Sequence, residues 1–280
     1  MMTGGGTSTI AAIVAAAAGL YLCLVALLAL GQTWLIFPSW MVPSLQAELP
    51  PDAERLTLQV EAVDLVGLRL PPAGGDPTTL IAFGGNAWNA DALALYLRSV
   101  FPEREIVAFH YRGYGPSAGR PSAAALLKDA LAIHDAIAAA RTEPRIIAIG
   151  LSIGAGPAAH LAAERPVDGL VLITPFDTLR ALARQHYPWV PVGALLRHEM
   201  DVAGAVSRTT APVAIITAAG DTIIPAERSA VVRDSARNLV FDRSLDGLGH
   251  NDIYGTQRFE DVLREAVARI ERGRAPPAAE

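Results

Sequence analysis

No charged side chain occurs in the first 47 residues of this 280-residue chain; the first is Glu48. Cysteine is nearly missing too: Cys23 stands alone, which excludes an internal disulfide and a thiolate metal site. Lys128 is the only lysine among 23 basic residues, and charged residues make up 18% of the chain with a formal net charge of -5. That balance leaves no basic face to track a phosphate backbone, so nucleic acid is not an expected partner. The six histidines follow no metal-ligand spacing, and neither a metal nor a cofactor is expected. No internal repeat is present, and the length suffices for one large α/β domain with a substantial core.

The uncharged start has a character of its own. Thr9 to Gly31 holds nothing more polar than threonine, tyrosine and glycine. As a helix its 23 residues would extend roughly 34 Å, enough for a bilayer core. The reading is an N-terminal segment 1–34 with a retained single-span helix over about 9–31. The rival is a cleaved signal peptide, with Ala29-Leu30-Gly31 as a small-x-small site. Against it, the leading residues carry no basic side chain and the apolar run is too long for an ordinary signal core. Leu22 before Cys23 argues against a lipoprotein site. No Lys or Arg flanks the span before Arg55, so charge asymmetry assigns no side of the membrane.

From Leu56 onward short β-branched runs alternate with longer amphipathic ones. Leu56–Leu65 and Val66–Leu70 read as an opening strand pair, followed by strands at Thr79–Phe83, Glu105–His110, Arg145–Ile149, Gly169–Thr174, Val213–Thr217 and Val240–Ser244. Helices are expected over Asn89–Phe101, Pro121–Ala140, the segment after Gly154, Ala226–Asp234 and Gln257–Arg272. Alternation of this kind predicts an α/β fold with a mostly parallel central sheet and helices on both faces. The Pro/Ala-rich stretch 273–280 is expected to be a disordered tail.

In such sheets chemistry collects at the carboxyl ends of the strands. Gly150-Leu151-Ser152-Ile153-Gly154 follows one strand and opens a small-residue helix, the context in which G-x-S-x-G pushes a serine hydroxyl out of the sheet edge. Gly220-Asp221 follows the Val213 strand, and Gly249-His250-Asn251 follows the last one. His250 can take the proton of Ser152 Oγ and return it to a leaving group, while Asp221 holds the imidazole tautomer. Asp177, after the preceding strand, is the rival acid and reads better as a helix N-cap. Asp246 and Asp252 read as solvated loop acids. The turn Gly84-Gly85-Asn86 can aim backbone N–H groups at a developing oxyanion, so Asn86 and Ile153 are the expected oxyanion donors. Tyr111-Arg112-Gly113-Tyr114 reads mainly as a structural loop beside the site, with Arg112 pinning it.

Taken in order, FGGNAWN, YRGYGPSAGRPS, GLSIG, GDTIIP and GHND resemble the alpha/beta-hydrolase superfamily, and within it the Bem46-like, ABHD12/ABHD13-type serine hydrolases. The resemblance extends from about Leu35 to Arg272 and includes His186-Tyr187-Pro188-Trp189-Val190-Pro191. It implies an alpha/beta-hydrolase domain over 35–272 with a short cap at about 179–210, where Tyr187, Trp189, Val190, Val192, Leu195 and Leu196 form either a packing surface or an acyl-binding wall. It also implies retention of the anchor, because Gln32 to Pro38 is similar to the family's post-anchor segment. The implied activity is hydrolysis of carboxylic esters or thioesters of lipid-like acyl substrates at a membrane. The same triad serves amidases and peptidases, and a catalytically idle membrane interaction module is the reading from another class. Gly84 stands where the family's usual His-Gly-Asn-Ala has histidine. Backbone donation by Asn86 survives that change, while the rigidity of the loop and the substrate preference depend on it.

Overall fold

The computed structural model describes residues 5–76 and 78–274. It opens with helix α1 (Gly5–Ile36), of which Thr9–Ile36 is long and apolar enough to cross a membrane; 6% of its most apolar window is buried. The helix continues five residues past the expected end at Gly31, because Gln32 and Thr33 find polar partners on the folded domain.

Strands β1 (Glu54–Val60) and β2 (Val63–Leu70) form the opening hairpin. Its turn falls at Glu61-Ala62 rather than between Leu65 and Val66, with Glu61 at φ 57 and Val60 paired to Val63. Two-residue turns of this kind normally announce themselves by Gly or Asn. This one carries neither, so residue type alone misplaces it. Then come β3 (Thr78–Phe83), α2 (Ala90–Val100), β4 (Glu105–Phe109), α3 (Ala123–Ala139), β5 (Arg145–Leu151), α4 (Ala155–Glu164) and β6 (Gly169–Ile173). The segment after it holds α5 (Leu179–His186), α6 (Val192–Leu195) and α7 (Val202–Arg208), and the fold closes with β7 (Val213–Ala218), α8 (Ala226–Ser235), β8 (Leu239–Leu245) and α9 (Gln257–Arg274).

The eight strands make one sheet in the order β1-β2-β4-β3-β5-β6-β7-β8, antiparallel at β1/β2 and β2/β4 and parallel elsewhere. Strands β3, β4, β6 and β7 are buried along their whole length, as a parallel sheet covered on both faces requires. Two cores result. Leu126, Leu161, Val206 and Val232 from α3, α4, α7 and α8 pack on one face, and Leu93, Leu97, Phe259 and Leu263 from α2 and α9 on the other. Helix α7 lies within the expected cap 179–210 yet packs on α4 and α8 as part of the layer covering the sheet. Only α5 and α6 stand out toward α1 and form the cap. Helix α9 runs on through Gly273 and Arg274, two residues into the stretch expected to be a disordered tail; the remaining six, 275–280, lie outside the described residues.

Parallel register sets what can meet at the sheet's edge. Phe83 pairs with Gly150, so the loop after β3 leaves the sheet beside Ser152. Ala218 pairs with Leu245, which brings the loops carrying Asp221 and His250 together.

Candidate active site

Ser152 sits between β5 and α4 with φ 53, in the left-handed region that costs a non-glycine residue about 1–3 kcal/mol. The neighbouring glycines permit the turn. A Cβ on Gly150 would stand 2.7 Å from Ala158 Cβ and 2.8 Å from Ala155 Cα, so β5 and α4 could not approach as they do. One on Gly154 would collide with the carbonyls of Phe83 and Gly84, driving the turn away from the loop after β3. The small residues of α4 therefore serve a close approach of helix to sheet.

Two hydrogen bonds join the three strand-end residues. His250 Nε2 lies 3.0 Å from Ser152 Oγ, and His250 Nδ1 lies 2.7 Å from Asp221 Oδ2. The imidazole and the carboxylate are both buried, while Ser152 is half-buried and reachable. Asp221 Oδ1 accepts the N–H groups of Ile223 (2.9 Å) and Ile224 (2.7 Å), leaving the other oxygen for the imidazole. Gly220 N–H donates to Leu248 O at 2.9 Å, tying the two loops, and Gly249 N–H donates to Asp252 Oδ2 at 3.0 Å. Asp252 is exposed, as expected of a loop acid, and also holds the histidine loop through this bond. Asp177 is elsewhere: its carboxylate receives Arg228 Nη1 at 2.9 Å. It does not cap α5 either, because Thr178 Oγ1 accepts the Ala181 N–H there.

The loop after β3 lies against the serine, with a Cβ on Gly85 falling 3.9 Å from Ser152 Cβ. Three successive carbonyls of this loop are each held by a donor. Gly84 O accepts the Tyr111 hydroxyl (2.7 Å), Gly85 O the Trp88 N–H (3.3 Å), and Asn86 O the Tyr114 hydroxyl (2.8 Å). A trans peptide points its N–H opposite its C=O, so fixing Gly85 O toward Trp88 also fixes the direction of the Asn86 N–H. Burial pushes the phenol pKa of both tyrosines up, Tyr111 also feeling its neighbour Tyr114, so both remain proton donors. Sequence reasoning assigned Tyr111 and Tyr114 to a structural turn. The available signal was the missing histidine at Gly84, which leaves the loop in need of another brace. Arg112 does pin its turn, giving Nε and Nη2 to Asp129 at 2.7 and 2.6 Å.

Behind the loop, Asn89 caps α2 through Asp91 and Ala92 N–H, and buried His110 lies 3.2 Å from Asp91 Oδ1. Burial alone would raise the Asp91 pKa, but hydrogen bonds from His110 and Arg55 bring it down to about 2. Among the described residues no group of acids, histidines or cysteine is arranged to hold a metal.

A cavity of about 210 Å³ separates α1 from the cap and is lined by Tyr187, Val190, Val192, Leu195 and Leu196 among others. Of the cap's expected apolar residues only Trp189 is not in its wall. Ser152, Asp221 and His250 do not line it.

No protein-family model matches the chain. An uncharacterized protein of Mycobacterium tuberculosis is 33% identical over 227 residues, covering 77% of this chain and 79% of that protein. The lysophosphatidylserine lipase ABHD12 of Xenopus tropicalis is 27% identical over 195 residues, 59% of this chain. The chain spans about half the length of that lipase, 50%. Among solved structures, a membrane phospholipase A described as a bacterial virulence factor superposes with a TM-score of 0.62 at 15% identity, over 96% of this chain and 99% of its own.

Proposed function

Because the chain belongs to the alpha/beta hydrolases, as an ABHD12-like serine hydrolase, we propose that Ser152, His250 and Asp221 form a catalytic triad that cleaves the acyl ester of a membrane lipid. The observation that carries this reading is the continuous pair of hydrogen bonds from Ser152 Oγ through the imidazole to Asp221.

Ser152 Oγ attacks the ester carbonyl as His250 Nε2 takes its proton. Asp221, with one oxygen held by two backbone N–H groups, keeps Nδ1 protonated and stabilises the imidazolium. The N–H groups of Asn86 and Ile153 receive the developing oxyanion. His250 then returns the proton to the departing alcohol, leaving an acyl-enzyme that water hydrolyses by the same steps in reverse. Each oxyanion donor is worth on the order of a hundred- to a thousand-fold in rate.

The lipid class follows from two supports: relatives named as lipase and phospholipase, and the apolar helix in the same chain. We read α1 as a retained single-span anchor, with residues 35–272 as the hydrolase domain and α5 and α6 as its cap. Contacts between α1 and the cap support retention over cleavage after Gly31. Tyr21 donates to Trp189 O at 2.9 Å and Arg197 Nη2 to Ala29 O at 3.1 Å, bonds that a cleaved chain would forfeit.

Labelling with a fluorophosphonate probe tests the triad. The wild-type chain is expected to take one label, and Ser152→Ala, at unchanged secondary structure by circular dichroism, to take none. Equal labelling of the two would exclude Ser152 as the nucleophile.

A further inference from the structure

Helix α1 is largely exposed, yet the hydrolase domain touches it well before its C-terminal end. The cap meets it from Tyr21, whose ring lies 6.4 Å from that of Trp189, down to Thr33, whose hydroxyl is 2.8 Å from His198 Nε2. The stretch between Thr9 and Leu20 is twelve residues, about 18 Å at 1.5 Å per residue. A bilayer core is about 30 Å thick and needs about 20 apolar residues. Counted from Thr9, those residues run through Leu28, and tilt only lengthens the requirement. With α1 read as an anchor spanning from Thr9, the segment Tyr21–Leu28 would lie in hydrocarbon and the cap edge that touches Tyr21 about 10 Å inside the leaflet boundary.

The cap edge beside Tyr21 is aromatic, with exposed Arg184, Gln185 and His186 immediately before it. Tyr187 and Trp189 are exposed on the cap edge. Arg197 Nη2 donates to Ala29 O at 3.1 Å, one residue beyond the stretch assigned to hydrocarbon. Trp34 and Trp40, each 77% exposed, lie further out, at the level where tryptophans collect in membrane proteins.

Against this frame lies the cavity between α1 and the cap. Leu28 and Leu35 of the anchor form one wall, and Leu182, Ala183, Leu195 and Leu196 of the cap face them. One wall of the cavity is thus the apolar helix itself. His186, which also lines it, donates Nε2–H to Ile223 O at 2.7 Å, and Ile223 is bonded in turn to Asp221. Resting on the reading of α1 as an anchor, we propose that the cap edge Tyr187–Val190 is sunk into one leaflet and that the cavity between α1 and the cap binds an acyl chain of a bilayer lipid, drawn in laterally for hydrolysis.

The full chain is reconstituted into dioleoylphosphatidylcholine vesicles with Trp34, Trp40 and Trp88 replaced by Phe, leaving Trp189 as the reporter. Phosphatidylcholine brominated at acyl carbons 6 and 7 is expected to quench its emission at least two-fold. Undiminished emission from chain that resists alkaline carbonate extraction overturns the leaflet-seated cap while leaving the anchor intact. Release of the chain by carbonate overturns the anchor and the proposal with it. Neither outcome depends on catalysis. For the cavity, Ala183→Trp, or Ala183→Leu should the larger side chain prevent folding, is expected to lower the ratio of kcat/KM for a palmitoyl ester to that for a butyryl ester at least ten-fold. A ratio within two-fold of wild type, in a variant that still takes the fluorophosphonate label, overturns the acyl site. Loss of label in the wild type would instead refute the triad.

Discussion

At the scale of single residues, the loop after β3, which we propose supplies an oxyanion donor, is braced by the hydroxyls of two tyrosines. With glycine at position 84 the loop has no side chain of its own there, and Tyr111 and Tyr114 reach across from the turn after β4 to hold Gly84 O and Asn86 O. Tyr114→Phe removes a donor from a carbonyl bonded next to the expected oxyanion amide. We expect kcat to fall about ten-fold with KM within two-fold, a fraction of what losing an oxyanion donor outright costs. Tyr111→Phe frees the carbonyl of the peptide that flanks the same amide on its other side and is expected to cost about as much. Steady-state kinetics on a soluble ester measures both; a change confined to KM would show that the tyrosines shape binding instead. Thermal melts separate this from general destabilisation, since one lost buried hydrogen bond costs about 1–3 kcal/mol.

At the scale of elements, the meeting of β5, α4 and the loop after β3 leaves no room for a methyl group. Gly154→Ala puts a Cβ against two backbone carbonyls that flexible side chains cannot relieve. We expect a loss of about 1–3 kcal/mol, the usual cost of overpacking, together with a larger loss of activity than of stability, because the displaced turn carries Ser152. Chemical denaturation and fluorophosphonate labelling of the folded fraction check the two parts. A variant with wild-type labelling would mean that the loop after β3 yields instead. Helix α1 shows the same logic in polar form. Gln32 donates to Leu195 O at 3.1 Å and accepts the Arg197 N–H at 2.8 Å, so the end of an otherwise apolar helix is latched to the cap through side-chain amides.

For the molecule as a whole, acid sensitivity follows from a buried carboxylate. The folded-state pKa of Asp91 is depressed to about 2 by its partners His110 and Arg55, against about 3.9 in an unfolded chain. The unfolded chain therefore binds the proton first. The contribution of Asp91 is fully present above about pH 4 and is lost as pH falls toward 2. We expect Tm to drop across that window and the drop to be shallower in Asp91→Asn, which has no carboxyl to protonate. Calorimetry at pH 5, 4 and 3 measures it; parallel curves for the two proteins would assign acid sensitivity to other groups.

Read by itself, the sequence determined the α/β alternation, the strands that are buried on both faces, and the apolar helix. These are written in the period and polarity of neighbouring residues, such as the uncharged run from Thr9 or the β-branched run Arg145–Ile149. It also marked Ser152, Asp221 and His250, since glycine-flanked polar residues at strand ends have little packing reason to exist. What it left open depends on distance between segments remote in the chain. The hairpin turn at Glu61 lacks a turn residue, and the separation of α7 from the cap is decided by its packing on α4 and α8. Asp177 and Asp221 both follow strands, and only the fold directs one to Arg228 and the other to His250. The tyrosine braces join residues 27 and 28 positions apart, and the cap meets α1 across more than 160. Local sequence records what each segment buries; which buried groups face one another is settled when the sheet register closes.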